Sequence, residues 1–234
     1  MIATIFASSR GTYGSPRVHR ALRQAGQRVS RRRVERLMRE DGLRGRVARV
    51  YRRKAGTHRW FGQHPNHVRW TRATGPNQIW VGDLTYLRAG DRWWYLATVL
   101  DQYSRRVLAW RLGTVRDARL TGAVVRAALQ RRRPAIGLIF HSDRGSEYLG
   151  TTFRCRLAAR GVRQSMTRGG APGENAHIES FFHSFKADVI HGCQFQTISE
   201  LRRQLRWYVP YYNRQRLHSA LGYQSPVDYE RRAA

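Results

Sequence analysis

The sequence predicts a mixed α/β fold, a sheet flanked by helices, preceded by a small all-α module. Three observations carry this reading. Three strand-like runs follow one another from Ile79 to Gly113, and helix and strand then alternate, the order of a mixed sheet with helical cover. Hydrophobic residues make up 41% of the 234, enough to fill a core and to exclude wholesale disorder. Charge is plentiful and uneven: 44 basic residues face 15 acidic ones, for a net +29. All the basic residues except Lys54 and Lys186 are Arg, and Arg10 to Lys54 holds 16 of them against three acids. Base composition of a genome explains Arg over Lys, but not the surplus. Such a surplus repels itself unless a polyanion neutralises it, which points to nucleic acid.

In chain order, Ile2, Ile5 and Phe6 belong to a first helix whose beginning is expected upstream. Pro16 to Gln24 reads as a short helix closed by Gly26. A second starts after Ser30 as N-cap and runs to about Asp41, with Gly42 closing it. Val34, Leu37 and Met38 form its apolar stripe; Arg31, Arg32, Arg33, Arg36 and Arg39 cover the other faces. Two such helices joined by GQRVS look like a helix-turn-helix, whose second helix enters a major groove; a solvated basic helix is the plainer alternative. This gives a DNA-binding domain at 1–55 and a basic linker at 56–75, expected to lie along DNA.

The pattern changes at Pro76, where the 76–234 domain begins. IWVGDLTYLR (79–88) and WWYLATVLD (93–101) read as a hairpin, with 105–113 as a third strand. Asp117 to Arg131 has helical spacing, and 136–143 reads as a short buried strand. A helix over 151–160, a strand over 162–165, a Gly/Pro loop at 168–175 and a helix over 175–190 follow. Pro210 is expected to kink or end the helix around WYVPYYN. Trp80, Trp93, Trp94 and Trp110 are read as core. Tyr148, Tyr211 and Tyr212 fit either the core or stacking on unpaired bases. Arg214, Arg216 and His218 fit either a phosphate contact or a solvated face.

No run of about 18 apolar residues occurs, so no membrane-spanning helix is expected, and MIATIFASSR has no secretory-signal pattern. Cys155 and Cys193 form no CxxC, which fits a reduced, cytosolic chain. His64 and His67 without a CxxC make zinc unexpected, and no GxxxxGK[ST] loop supports ATP. H-x-x-R at 141–144 also fits tyrosine recombinases, but the strand content argues against them.

With so few acids, each carboxylate in an ordered setting stands out. Asp83 sits among apolar and aromatic strand residues, where a carboxylate needs a cation partner. Asp143 closes the run GLIFHSD, where ligands project from an open α/β sheet. Glu179 falls in the first turns of a helix, with His183 four and Lys186 seven residues on, facing the same side. Each alone has a bland reading as a core Asp, a turn Asp or a solvated Glu. Together they supply the hard oxygen ligands that divalent metals use in phosphodiester chemistry.

The motifs are similar to those of the OrfB transposases of bacterial insertion sequences, which share the catalytic core of retroviral integrases. Asp83 lies in W-V-G-D-L-T-Y, Asp143 in H-S-D-R-G-S-E-Y and Glu179 in E-N-A-H-I-E-S-F-F-H-S-F-K, with 35 residues between the last two acids. Y-G-S-P-R-V (13–18) and Y-N-R-Q-R-L-H-S-A-L-G-Y-Q-S-P (212–226) extend the resemblance over nearly the whole chain. Glu174 departs from the family's Asp at that position. The resemblance implies a ribonuclease-H-like fold, with Asp83, Asp143 and Glu179 as catalytic residues and ligands of Mg2+, or of Mn2+. It implies Lys186 as a DNA-end contact, strand cleavage followed by transesterification, and a homo-oligomer on double-stranded DNA at the nucleoid. It also implies an OrfA partner or fusion. A DNA-binding remnant acting as a repressor, or a nuclease that never joins, stays open beside it.

Overall fold

The computed structural model describes residues 1–46, 64–168 and 172–233. Three helices open the chain: α1 (Ile2–Ser8), α2 (Ser15–Gln24) and α3 (Arg31–Glu40). Ser30 caps α3 by accepting from the Arg33 amide at 3.2 Å, and Gly26 and Gly42 supply the left-handed turns at φ +79° and +67°. Val18, Leu22, Val34 and Met38 are buried between these helices, with Ile2, Ile5 and Phe6 packed at the rim. The same small core takes in Leu217 from the far end of the chain.

The sheet follows as β1 (Ile79–Ala89), β2 (Arg92–Asp101), β3 (Val107–Gly113), β4 (Ile139–Ser142) and β5 (Arg163–Met166), ordered β3-β2-β1-β4-β5. β1 to β3 form an antiparallel meander, and β4 and β5 run parallel to β1. Alternation along β1 assigns its faces. Trp80 and Leu84 join the core under α4 (Ala118–Arg132), while Val81, Leu87 and Ala89 join the core under α7 (Ala176–Phe185) and α8 (Ile198–Arg214). Two short helices, α5 (Ser146–Leu149) and α6 (Thr151–Ala158), link β4 to β5, and α9 (Pro226–Arg231) closes the chain.

The helical module leans on the end of the chain. Tyr13 Oη donates to the Gln215 carbonyl and accepts from the Leu217 amide, Arg17 Nε donates to the Leu217 carbonyl, and Arg10 lies 3.4 Å over the Trp207 ring. Of the expected linker 56–75, residues 56–63 lie outside the described residues, as does 169–171 of the Gly/Pro loop. Residues 65–67 run beside the outer edge of β5: Met166 N donates to the Pro65 carbonyl and His67 N to Ser165 Oγ.

Several expectations need correction. The helix does not end at Pro210; α8 continues to Arg214. Pro210 and Arg206, whose carbonyl loses its donor, are both exposed, so water replaces the missing bond. β4 begins at Ile139 because Gly137 turns the chain at φ +100°, leaving Ile136 91% exposed and Asp143 one residue past the strand. Trp93 is not core: it is 54% exposed near the tip of the β1–β2 hairpin, edge-on to Tyr86. Tyr148, Tyr211 and Tyr212 are buried, which removes them as base-stacking surfaces. Arg216 is buried too, with Nε 2.7 Å from Asp188 Oδ2, and His218 packs edge-on against Tyr212.

Candidate active site

Parallel register brings Asp83 and Asp143 together. Gly82 of β1 pairs with Ser142 of β4, so the two aspartates are the next residue on neighbouring chains, at a strand spacing of about 4.8 Å. Asp83 is 5% exposed, in the middle of β1, and its Oδ1 accepts from the Leu84 amide. By alternation it belongs to the α7 side of the sheet. Asp143 Oδ1 accepts from the Gly145 amide at 3.0 Å, which fixes the carboxylate as the strand gives way to loop. Gly82 is demanded by packing, since a Cβ there would fall 2.3 Å from the Phe140 ring. The W-V-G-D motif therefore couples a tight sheet–core contact to the acid that follows.

Glu179 stands in the first turns of α7, where its charge meets the positive end of the helix dipole. α7 packs against β1, and Asn175 at its start reaches the Gly82 carbonyl at 3.5 Å. The third acid is thus on the face that carries Asp83. Among the described residues, no group of three or more His, Cys, Asp or Glu is drawn tightly enough to hold a metal. The structure sets two aspartates side by side and Glu179 on the overlying helix, without closing the three into one cage. The donors are hard carboxylate oxygens, the chemistry that Mg2+ and Mn2+ prefer.

Lys186 follows α7 and opens a π-helical turn (Lys186–Ile190), with its ammonium 5.0 Å from the centre of the Tyr86 ring. Tyr86 is three residues beyond Asp83 on β1, about 10 Å along the strand, and alternation assigns it to the other face of the sheet. His183 is exposed. Glu174 accepts from Arg168 N and Nε and from Asn66 Nδ2, each at 2.7 Å. On α3, Arg31, Arg32, Arg33, Arg36 and Arg39 are all exposed, Arg31 paired with Glu35 at 2.8 Å and Arg36 with Glu40 at 3.6 Å.

Two histidines, His141 buried and His177 half-buried, interact near the same part of the sheet. His141 Nδ1 lies 2.9 Å from Ser165 Oγ, and burial pushes its pKa down to about 4. His177, two residues before Glu179, is pushed down to about 4 by burial and then by Arg105 and His141. Both are neutral near pH 7. Motif reading missed an ion pair beside Asp143: Arg116 Nη2 lies 2.8 Å from Glu147 Oε1. Glu147 stood inside H-S-D-R-G-S-E-Y, but nothing local pointed to Arg116 across 31 residues.

Comparison with known proteins agrees with this architecture. Residues 73–172 and 160–226 match integrase core domain models, and 1–53 match an HTH-like domain. The intasome of simian T-cell lymphotropic virus, solved with the PP2A regulatory subunit B56 gamma, aligns over 98% of this chain and 74% of that one, with a TM-score of 0.56 at 13% identity. The catalytic core of BIV integrase aligns over 67% of this chain and 95% of that one, with a TM-score of 0.50 at 14% identity. Fold and site together define an integrase-core protein with an HTH-like module. Sequence relatives narrow the class. The transposase of insertion element IS904 from Lactococcus lactis is 33% identical over 98% of this chain and 92% of its own length. The InsF transposase of IS3A from Escherichia coli K12 is 35% identical over 98% of this chain and 81% of its own. The chain belongs to the insertion-sequence transposases.

Proposed function

We propose that Asp83, Asp143 and Glu179 form the catalytic centre of a metal-dependent DNA transposase that cuts at the element's ends and joins them to target DNA. The observation that supports this best is the parallel register that sets Asp83 beside Asp143 under α7. Asp83 and Asp143 would hold Mg2+ or Mn2+, with Glu179 as the third carboxylate; these acids repel at close range and close up only around a cation. When bound, the metals polarise the phosphodiester and activate the attacking oxygen. The protein's own share is placement. The sheet fixes Asp83, the Gly145 amide orients Asp143, and Lys186 offers a cation to the DNA backbone.

The chemistry has two displacements at one site. Water attacks a phosphodiester, and the 3′-oxygen leaves to become a free hydroxyl. That hydroxyl attacks a target phosphodiester, one P–O bond forming as another breaks, so no ATP is consumed. The exposed arginines of α3, namely Arg31, Arg32, Arg33, Arg36 and Arg39, read the element ends, with double-stranded DNA as the partner. Two ends held together require more than one copy, and an OrfA product, separate or fused, is the candidate further partner. In this reading residues 1–55 bind DNA, 56–75 link, and 76–234 carry out catalysis.

Incubating the protein with Mg2+ and labelled duplex ends tests this. Wild type yields joined product, while Asp143→Asn binds the same DNA but loses joining by at least a thousandfold, on the order of what removing a catalytic group costs. Equal joining by Asp143→Asn refutes the site; cleavage of uncut ends with no joining of precut ones makes the protein a nuclease.

A further inference from the structure

The catalytic aspartates are flanked by the Arg116–Glu147 ion pair, which the proposed chemistry leaves without a task. Arg116 lies in the loop between β3 and α4, and Glu147 in α5, four residues after Asp143. Arg116 Nε and Nη2 lie 2.9 and 2.8 Å from one oxygen, Glu147 Oε1. The two ends of the pair are in different surroundings: the Glu147 side chain is 1% exposed and that of Arg116 48%.

Glu147 is built into place. A Cβ on Gly145 would fall 2.4 Å from Glu147 Oε1, and Thr121 Oγ1 donates to the Glu147 carbonyl at 3.0 Å. The Gly145 amide is also the one that orients Asp143, so a single short loop fixes the acid and the anchor of the arginine. Glu147 Oε2 makes no hydrogen bond among the described residues, so the carboxylate leans wholly on Arg116. A guanidinium has five N–H groups, and three of them are not engaged by Glu147. Asp143 and Asp83 both act on Arg116 through their charge, which places it within the field of the catalytic pair.

DNA entering a site built on carboxylates meets like charge. A guanidinium that is anchored from below and half open above offers fixed, planar donors to a phosphate, which Lys cannot match. We propose that Arg116 is a phosphodiester-binding residue that grips a DNA backbone phosphate next to the one being cut, with Glu147 as the positioning residue that holds its guanidinium. The inference rests on the active-site reading above and adds a subsite to it. It also gives this half-exposed ion pair a use beyond stability.

The test is binding, so it does not depend on turnover. Duplexes of the element end carry a neutral methylphosphonate at one phosphate at a time around the cut, and fluorescence anisotropy gives Kd for wild type, Arg116→Gln and Arg116→Lys. For wild type, one adjacent position weakens binding about tenfold. In Arg116→Gln that penalty disappears, unmodified DNA binds about tenfold more weakly, and the slope of log K against log salt falls by about 1. Arg116→Lys keeps the salt slope and part of the penalty. Undiminished affinity in Arg116→Gln, or a weaker protein whose penalties at every position match wild type, overturns the proposal and leaves Arg116 as a structural partner of Glu147. Failure of the underlying reading shows elsewhere, as joining activity retained by Asp143→Asn.

Discussion

Two populations of arginine occupy this protein, and they are used in opposite ways. On α3, Arg31, Arg32, Arg33, Arg36 and Arg39 all face solvent, and the ion pairs to Glu35 and Glu40 are exposed. Near α8, Arg216 is 4% exposed, bonded to Asp188, which also accepts from Tyr208 Oη at 2.9 Å. Arg106 and Arg132 converge in the same manner on Glu230, itself 8% exposed. Exposed pairs contribute little to stability because water and salt screen them. A buried charge must keep its partner or bear the desolvation cost in full. The count of 44 basic residues therefore does not measure the DNA-binding surface, since some of them are structural.

Removing the buried arginine gives the largest expected effect of a single substitution. Arg216→Ala removes the cation partner of Asp188 in the interior, and denaturant titration should show a loss of about 3–5 kcal/mol. A loss below about 1 kcal/mol would erase the distinction between the two groups. Acid acts on three buried or half-buried histidines next. Burial lowers the pKa of His141 and His177 to about 4 and that of His218 to about 3. In the unfolded chain these side chains take up protons near pH 6.5, while the fold keeps them neutral. Stability is therefore full above about pH 6.5 and falls as pH drops toward 4, with a slope approaching three protons. A flat profile between pH 6.5 and 5 would contradict the burial of these rings. The smallest stability effect belongs to α3. Replacing Arg32, Arg33, Arg36 and Arg39 with Ala should change unfolding by less than about 0.5 kcal/mol per site. It should also lower the salt slope of DNA binding by about 1 for each phosphate that an arginine no longer neutralises. A large stability loss there would mean that the helix packs more than it reads.

Local signals were legible in the sequence. Ser30 and Gly42 bracket α3, the hairpin lies where Ile79 to Asp101 alternates, and the three acids stand in their motifs. What stayed hidden depends on residues far apart in the chain. Arg116 meets Glu147 across 31 positions and Arg216 meets Asp188 across 28, and no periodicity marks either pair. Trp93 read as core because strand hydrophobicity does not reveal where the helical cover stops. Pro210 read as a kink or an end, and α8 runs on past it because propensity takes no account of which helix face can be hydrated.

The seam between the first helices and the end of the chain has a consequence in time. Arg17 and Leu217 are 200 residues apart, and a ribosome adding about 5–20 residues per second needs roughly 10–40 s to cover that span. Throughout that interval Tyr13 and Arg17 stand ready beside an apolar face that Leu217 has yet to close. The part of the protein made first is finished last. A chain cut short before residue 215 would keep its sheet acids and its basic helix yet lack the Gln215 and Leu217 contacts that hold Tyr13 and Arg17.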